Sequence, residues 1–366
     1  MGNSQCRCYS SEHQIEQKIQ SIKNQPNEIR NTSKEKFIPK NEDNELYKNN
    51  KQKIIKIQSR IRGFLTKKIY HGKLTNNIRA GNNIISNQNR LLKEVQNPPN
   101  YLTKEVQDTL TKLGPFKYDP SPPNFDFGKL IKKGPCEIDN QAIYEGEWNE
   151  NNHMQGKGKQ IWSDGSVYEG YWLNDAAHFR GRLIHSDGDV YEGEWQNDKE
   201  NGKGIYLHVD GAKFEGEWLN DIQHGHGIEW WPDEAVYEGN YVQGKKEGKG
   251  KFKWGDHSSY EGEFFNNNIH GKGDYFWSDG RVYKGDWVNN KMEGKGEFIW
   301  PDGRKYMGEY FDDKKQGKGE FIWPDGRKYI GGWVDGKQDG EGVYVGTDSK
   351  ERKGEWKDGK RVRWIN

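Results

Sequence analysis

The sequence repeats itself. Tyr144, Tyr168, Tyr191, Phe214, Tyr237, Tyr260, Tyr283, Tyr306 and Tyr329 each open an aromatic-x-Gly triplet, and after a first step that is one position longer the spacing is a constant twenty-three. One further step of the same length reaches Arg352, followed by Lys353-Gly354-Glu355-Trp356, a degenerate tenth copy. Two neighbouring copies share the string GKGEFIWPDGRKY, at 294–306 and 317–329. A fixed period of this length restricts the region to a tandem stack of small units, each packed mainly on its neighbours.

Each unit reads as a β-hairpin. In Tyr144-Glu145-Gly146-Glu147-Trp148 the alternation places Tyr, Gly and Trp on one face and the carboxylates on the other. A polar loop such as Asn289-Asn290-Lys291 leads to a second strand beginning Gly-x-Gly, as in Gly317-Lys318-Gly319-Glu320-Phe321-Ile322-Trp323. Pro324-Asp325-Gly326 then turns the chain into the next unit: Pro presets φ and Gly accepts the left-handed region. The expected core is therefore aromatic: the nine opening rings, Gly146, and Trp148, Trp195, Trp218, Trp287 and Trp333, with glycines letting rings of adjacent hairpins lie against the backbone. Such a core fits a chain with only 31% apolar residues, mean hydropathy −1.20 and 46 glycines. One hairpin is marginal in water, whereas stacked hairpins bury a continuous face.

Y-E-G-E-W followed by G-K-G and W-x-D-G-x-x-Y resembles the MORN (membrane occupation and recognition nexus) repeat, over residues 144–356. The resemblance implies an all-β, elongated β-hairpin solenoid acting as a scaffold in membrane junctions, cell cortex or ciliary and cytoskeletal assemblies. It also implies that a homodimer or lipid binding can occur. Some copies depart from the pattern: Gly-x-Gly is lost at Arg180-Gly181-Arg182, and the Asp-Gly turn becomes Asp233-Glu234 and Asp256-His257, so units that are looser or that carry specific contacts are expected there. Gly134 to Asn140 reads as a capping half-repeat, and Lys357 to Trp364 as a charged end cap.

Ahead of the array the chemistry changes. All 15 tryptophans follow residue 147. Residues 1–143 carry 25 Lys and Arg against 14 Asp and Glu, a net of +11, which leaves 32 against 42 and a net of −10 for the rest. From Lys48 to Lys93 there are twelve basic residues and no acidic one. Inside this window Ile54, Ile57, Ile61, Phe64 and Leu65 fall on one helical stripe with cationic flanks. Ile57-Gln58 with Arg62-Gly63 and Lys67 resembles the IQ motif, which implies calmodulin or a related EF-hand protein as a partner, held through Gln58, Arg62 and Gly63. An amphipathic basic helix suits calmodulin's apolar grooves and acidic surface; the same pattern also suits a helix that packs on the repeats or lies on a membrane.

Met1-Gly2-Asn3-Ser4-Gln5-Cys6-Arg7-Cys8 resembles a myristoylation site at Gly2, with Cys6 and Cys8 placed for palmitoylation, although Cys stands where Ser or Thr is usual. One acyl chain anchors weakly, and a second chain or a polybasic patch makes the attachment stable. The chain thus divides into a disordered tail at 1–46, an IQ helix at 47–70, a linker at 71–123 with a short amphipathic helix at 101–113 (Leu102, Val106, Leu110, Leu113 on one stripe), and the array at 124–366. Asp119-Pro120-Ser121-Pro122-Pro123 reads as a stiff entry to the array.

Enzyme chemistry is not expected. The G-x-G pairs recur once per repeat on strands and do not open a helix as a phosphate loop would. The His224/His226 pair lacks a second ligand pair, no EF-hand loop or nucleophile elbow occurs, and three cysteines make no disulfide framework. MORN arrays fused to lipid kinase or methyltransferase domains exist, but the chain ahead of Tyr144 contains neither pattern. An aromatic-rich body that is acidic argues against nucleic acid. No metal or cofactor is expected. Composition rich in Asn, Lys and Gln resembles that of ciliate proteins, so the expectation is a cytoplasmic scaffold of cytoskeleton, axoneme or the inner face of a membrane. The alternative is a peripheral phosphoinositide-binding module anchored by its acylated tail.

Overall fold

The computed structural model describes residues 92–118 and 125–365. The expected tail, acylation residues Gly2, Cys6 and Cys8, the IQ residues Ile54 to Lys67 and the Pro-rich 119–124 lie outside the described residues.

The described part of the array is one open antiparallel sheet of 22 strands in which each strand pairs with the next in sequence. β1 (Lys93–Glu94) pairs with β2 (Ile131–Glu137), which lies against β3 (Ile143–Trp148), so the first hairpin is flanked by chain from ahead of the repeats. Each repeat then supplies one hairpin, from β3 with β4 (Met154–Ile161) to β21 (Glu351–Lys357) with β22 (Lys360–Trp364). The final edge carries Lys360, Arg361 and Arg363, charges that discourage a further strand from pairing there.

Register places one glycine of every strand from β3 to β21 opposite the next, an unbroken row from Gly146 to Gly354. The opening ring lies on this row within its own hairpin, not on an adjacent one: a Cβ at Gly146 or Gly158 would run into the Tyr144 ring. The Tyr144 hydroxyl donates to the Glu147 carbonyl at 3.0 Å, and the Tyr168, Tyr191, Tyr260, Tyr283, Tyr306 and Tyr329 hydroxyls repeat that bond three residues on. Glycine is required because nothing else leaves room for a ring this close to the backbone.

The polar loop inside the unit is a two-residue turn. In every hairpin after the first, both turn residues take positive φ, as at Asn289 (49°) and Asn290 (68°), the conformation of a type I′ turn whose twist matches the strands. The first hairpin has one extra residue there, since Trp148 faces Met154 but Trp172 faces Ala177, which accounts for the longer first interval. Between repeats, Trp300 N–H donates to Arg304 O and Gly303 N–H to Trp300 O, and Asp302 Oδ1 accepts from Arg304 N–H at 3.1 Å.

The irregular copies keep their geometry. Glu234 and His257 occupy the glycine position with φ of 66° and 68°, and both turns make the same two backbone bonds. Those units are strained rather than loose. The pairing of Gly181 with Gly170 and Gly193 shows that Phe179, at φ 59°, stands where Gly is missing from its repeat.

Candidate interaction surface

The two faces of the sheet differ in kind. On the inner face each opening ring is buried and edge-on to two others: Tyr168 meets Trp172 of its own repeat at 4.9 Å and Trp195 of the next at 5.1 Å. Tyr191 with Trp195 and Trp218, and Tyr306 with Tyr310 and Trp333, repeat this. Such contacts contribute roughly 0.5–1.5 kcal/mol each beyond area burial. The indole N–H groups of Trp172, Trp195, Trp218, Trp287 and Trp333 donate to Gly158, Gly181, Gly204, Gly273 and Gly319 of the preceding repeat, at 3.1–3.2 Å. Trp148 heads the ladder, and its Nε1 has no acceptor among the described residues. Burial pushes the phenols up, Tyr329 to about 12 and Tyr168 well beyond its usual range, so they stay neutral donors.

All the expected core residues sit on this face: Tyr144, Tyr168, Tyr191, Phe214, Tyr237, Tyr260, Tyr283, Tyr306 and Tyr329 are buried, as are Trp148, Trp195, Trp218, Trp287 and Trp333, and Gly146 begins the glycine row. Sequence reading missed a second stack from the other strand, Phe252–Trp254–Tyr275–Trp277–Phe298–Trp300–Phe321, with neighbouring centroids 4.4–5.7 Å apart. Its signal was present: an aromatic two residues before the turn Trp at Trp254, Trp277, Trp300 and Trp323. It also missed the bond that couples repeats at the turn edge. Asn290 Oδ1 accepts from Ile269 N–H at 2.7 Å while Asn290 N–H donates to Ile269 O at 2.9 Å; Asp175 with Met154 and Asp313 with Met292 do the same. That is why short acceptor side chains fill the second turn position.

The inner face also admits a buried ion pair. Lys246, 2% exposed, meets Glu229 at 2.7 Å and lies over Trp231, Tyr237 and Tyr241 at 4.8–5.3 Å. Removing one partner of such a pair costs far more than the pair contributes.

The outer face is charged along its centre. Glu169 meets Lys159 at 3.1 Å, Glu192 meets Arg182 at 2.8 Å, Glu261 meets Lys251 at 3.3 Å and Glu320 meets Lys328 at 3.1 Å. An exposed pair such as Glu261 with Lys251 contributes about 0–1 kcal/mol, whereas Arg182 is buried.

Over the first three repeats this face is covered by the chain itself. Helix α1 (Lys104–Leu113) is capped by Thr103, whose side chain accepts from Val106 N–H, and ends at Gly114. Its fully buried Val106 packs with Val167, Ile184 and Val190, flanked by Leu102, Leu110, Leu113, Ile161 and Leu207. The Thr103 and Thr109 hydroxyls donate to Ser186 O and Gly188 O, at 2.9 and 3.4 Å. Arg182 then donates to Gly114 O at 2.8 Å with its guanidinium over Phe116. Tyr118, Phe125 and Phe127 follow against Tyr171 and Phe179, which explains a phenylalanine at a strained bulge position. Beyond repeat 3 no described segment lies on this face.

Among the described residues no cluster of three or more His, Cys, Asp or Glu has the geometry to hold a metal, and no helix is long and apolar enough to cross a membrane. The histidines at 224, 226 and 270 lie on strands just past the I′ turns, and Cys136 is a buried free thiol beside the head of the ring ladder.

An open sheet built from sequential hairpins, held by rings over a glycine row, defines a stacked β-hairpin repeat protein. A family model for the MORN repeat matches ten consecutive segments, from 144–167 to 353–362, over more than half of the chain. The chain belongs to the MORN-repeat family. The tenth copy is the degenerate one ending in β22. No curated protein matches. Solved structures that align include the TCP domain of SAS-4 from Drosophila melanogaster in complex with a proline-rich motif of Ana2 (14% identity, 54% of this chain and 98% of that one, TM-score 0.25). Others are the TCP10 domain of Danio rerio CPAP (12%, 65% and 99%, TM-score 0.22) and virginiamycin B lyase from Staphylococcus aureus (14%, 64% and 86%, TM-score 0.13). At these TM-scores no argument rests on them.

Proposed function

We propose that this chain is a non-enzymatic scaffold whose MORN array docks partner proteins within a cytoskeletal, axonemal or membrane-cortex assembly, and whose basic segment carries calmodulin or a related EF-hand protein. The observation that carries this reading is the division of labour between the faces. The inner face is consumed by stacking, while the outer face beyond repeat 3 is a long periodic surface of ion pairs and apolar side chains rather than a cleft. A scaffold needs area and repetition; an enzyme needs convergence of a few groups.

The light-chain part rests on Ile54, Ile57, Gln58, Ile61, Arg62, Gly63, Phe64 and Lys67. Binding of the full-length chain to calmodulin, with calcium and with chelator, tests it. Binding in either condition that is lost in Ile57→Ala with Arg62→Ala supports the reading and gives the sign of calcium control. No binding in both removes the light chain and leaves the array as the functional element. Acylation at Gly2, Cys6 or Cys8 would place the scaffold at a membrane surface, and intact-mass measurement of the native protein checks it.

A further inference from the structure

Beside the clamp formed by the second turn residue, a further bond joins one repeat to the next. The side chain following the clamped residue accepts from the N–H of the first residue of the next I′ turn. Glu247 accepts from Asn266 N–H at 2.9 Å, Glu293 from Asp312 at 3.3 Å, Gln316 from Asp335 at 3.1 Å and Asp339 from Asp358 at 3.4 Å. Gln316 accepts at any pH, and a carboxylate accepts until it is protonated near pH 4.

After repeats 2 and 6 the acceptor is an imidazole. His178, on β6 (Ala176–Ile184), accepts through Nδ1 from Asn197 N–H at 3.3 Å, and His270, on β14 (Asn268–Phe276), from Asn289 N–H at 3.4 Å. Each bond requires a neutral ring with its proton on Nε2. His224 holds the same place in repeat 4, where its buried Nδ1 has no partner among the described residues. In repeat 3, Asn201 bonds to Gln196 instead.

A protonated imidazole has no lone pair left, because both nitrogens donate. Its Nδ1–H would face the turn N–H, donor against donor, and the bond is lost. The surroundings of the two rings differ. His178 lies opposite Tyr171 and against the Phe179 ring at 4.5 Å. The charges nearest in sequence are engaged elsewhere: Arg180 meets Glu192 at 3.2 Å, and Asp198 of the turn accepts from Ala177 N–H at 2.7 Å. Burial pushes the His178 imidazole below its usual range. The stability it contributes is therefore present above the ordinary histidine range and lost as pH falls through it. His270 lies opposite Glu263, with the Phe265 ring at 5.5 Å, Lys272 tied to Asp286 at 2.7 Å, and a neutral Asn289-Asn290 turn. Glu263 offers the protonated ring an acceptor inside its own hairpin, drawing it away from the turn of the next repeat.

We propose that the joints after repeats 2 and 6 are proton-sensitive: neutral His178 and His270 lock the following turn, and protonation releases it. The array then gains freedom to bend at those two joints, while the joints held by Glu247, Glu293 and Gln316 keep their bonds in the same pH range. The device goes beyond the scaffold reading and works whatever the platform docks.

Two-dimensional proton–nitrogen NMR of the full-length chain, titrated from about pH 7.5 to 5.5, reads each joint singly. The amide protons of Asn197 and Asn289 should move upfield, each with the midpoint at which the carbon-bound protons of its own histidine ring titrate. The Asp335 amide, held by Gln316, should stay in place. His178→Gln with His270→Gln substitutes the acceptor that the array uses at Gln316, so both bonds should persist and both shifts disappear. Asn197 and Asn289 amides that ignore the ring titrations in the wild type overturn the proposal, and that half of the test needs no variant to fold. Shifts that persist in the double Gln variant overturn it as well.

Discussion

Asp313 shows how far a single residue's chemistry follows from its place in the stack. It occupies the second position of an I′ turn, accepts from Met292 N–H at 2.8 Å, and burial pushes its carboxyl from 3.8 up to about 6, with Asp312 adding to the effect. A carboxyl raised in the fold binds its proton more tightly folded than unfolded. Its ionisation therefore costs stability as pH rises from about 4 through 6. The equivalent Asn290 makes the same bond to Ile269 without a charge. Asp313→Asn should accordingly stabilise the chain by about 1 kcal/mol at pH 7.5, after discounting for the partial exposure of the site. At pH 4 the gain should vanish. Urea titrations at the two pH values check both halves of the statement.

At the scale of the element, the hairpin is the unit, and its two turns carry different constraints. The turn between repeats needs a left-handed residue, a conformation that Gly303 and Gly326 take freely and that Glu234 and His257 take as non-glycine residues. A non-glycine residue there costs about 1–2 kcal/mol, partly offset by the entropy that glycine loses on folding. Glu234→Gly should therefore raise stability by about 0.5–1 kcal/mol, read as a higher urea midpoint with an unchanged slope. The hairpins and their inward rings were legible in the sequence because a constant period and an alternation of two leave only one face for Tyr, Gly and Trp. What lies under each ring was not, since alternation says which face a ring takes but not which strand's glycine it covers. The Asn-rich loop read as polar filler; its function as an inter-repeat clamp appears only when Asn290 is seen against Ile269 of the preceding repeat. The seat of α1 was illegible for another reason. The amphipathic stripe of Leu102, Val106, Leu110 and Leu113 announces a helix, but nothing local in it specifies Ile184 as the surface it covers.

The whole molecule combines a basic leading segment with an acidic array, and that array is held together by nearest-neighbour contacts that repeat with little change from Tyr144 to Trp356. Such a stack does not depend on a single centre, so surface rows can vary while the ring ladder holds. The covering of repeats 1–3 by the chain's own α1, and the open outer face beyond them, make the array a platform with a filled end and a free stretch. If that platform serves proteins, its negative charge should keep it off anionic membranes unless the tail is acylated. The most direct measurement is co-sedimentation of residues 92–366, without the tail, with phosphoinositide-containing vesicles at physiological salt. The scaffold account predicts that this fragment stays in the supernatant. Recovery with the vesicle pellet, weakening as salt is raised, would contradict it and make lipid recognition the work of the repeats themselves.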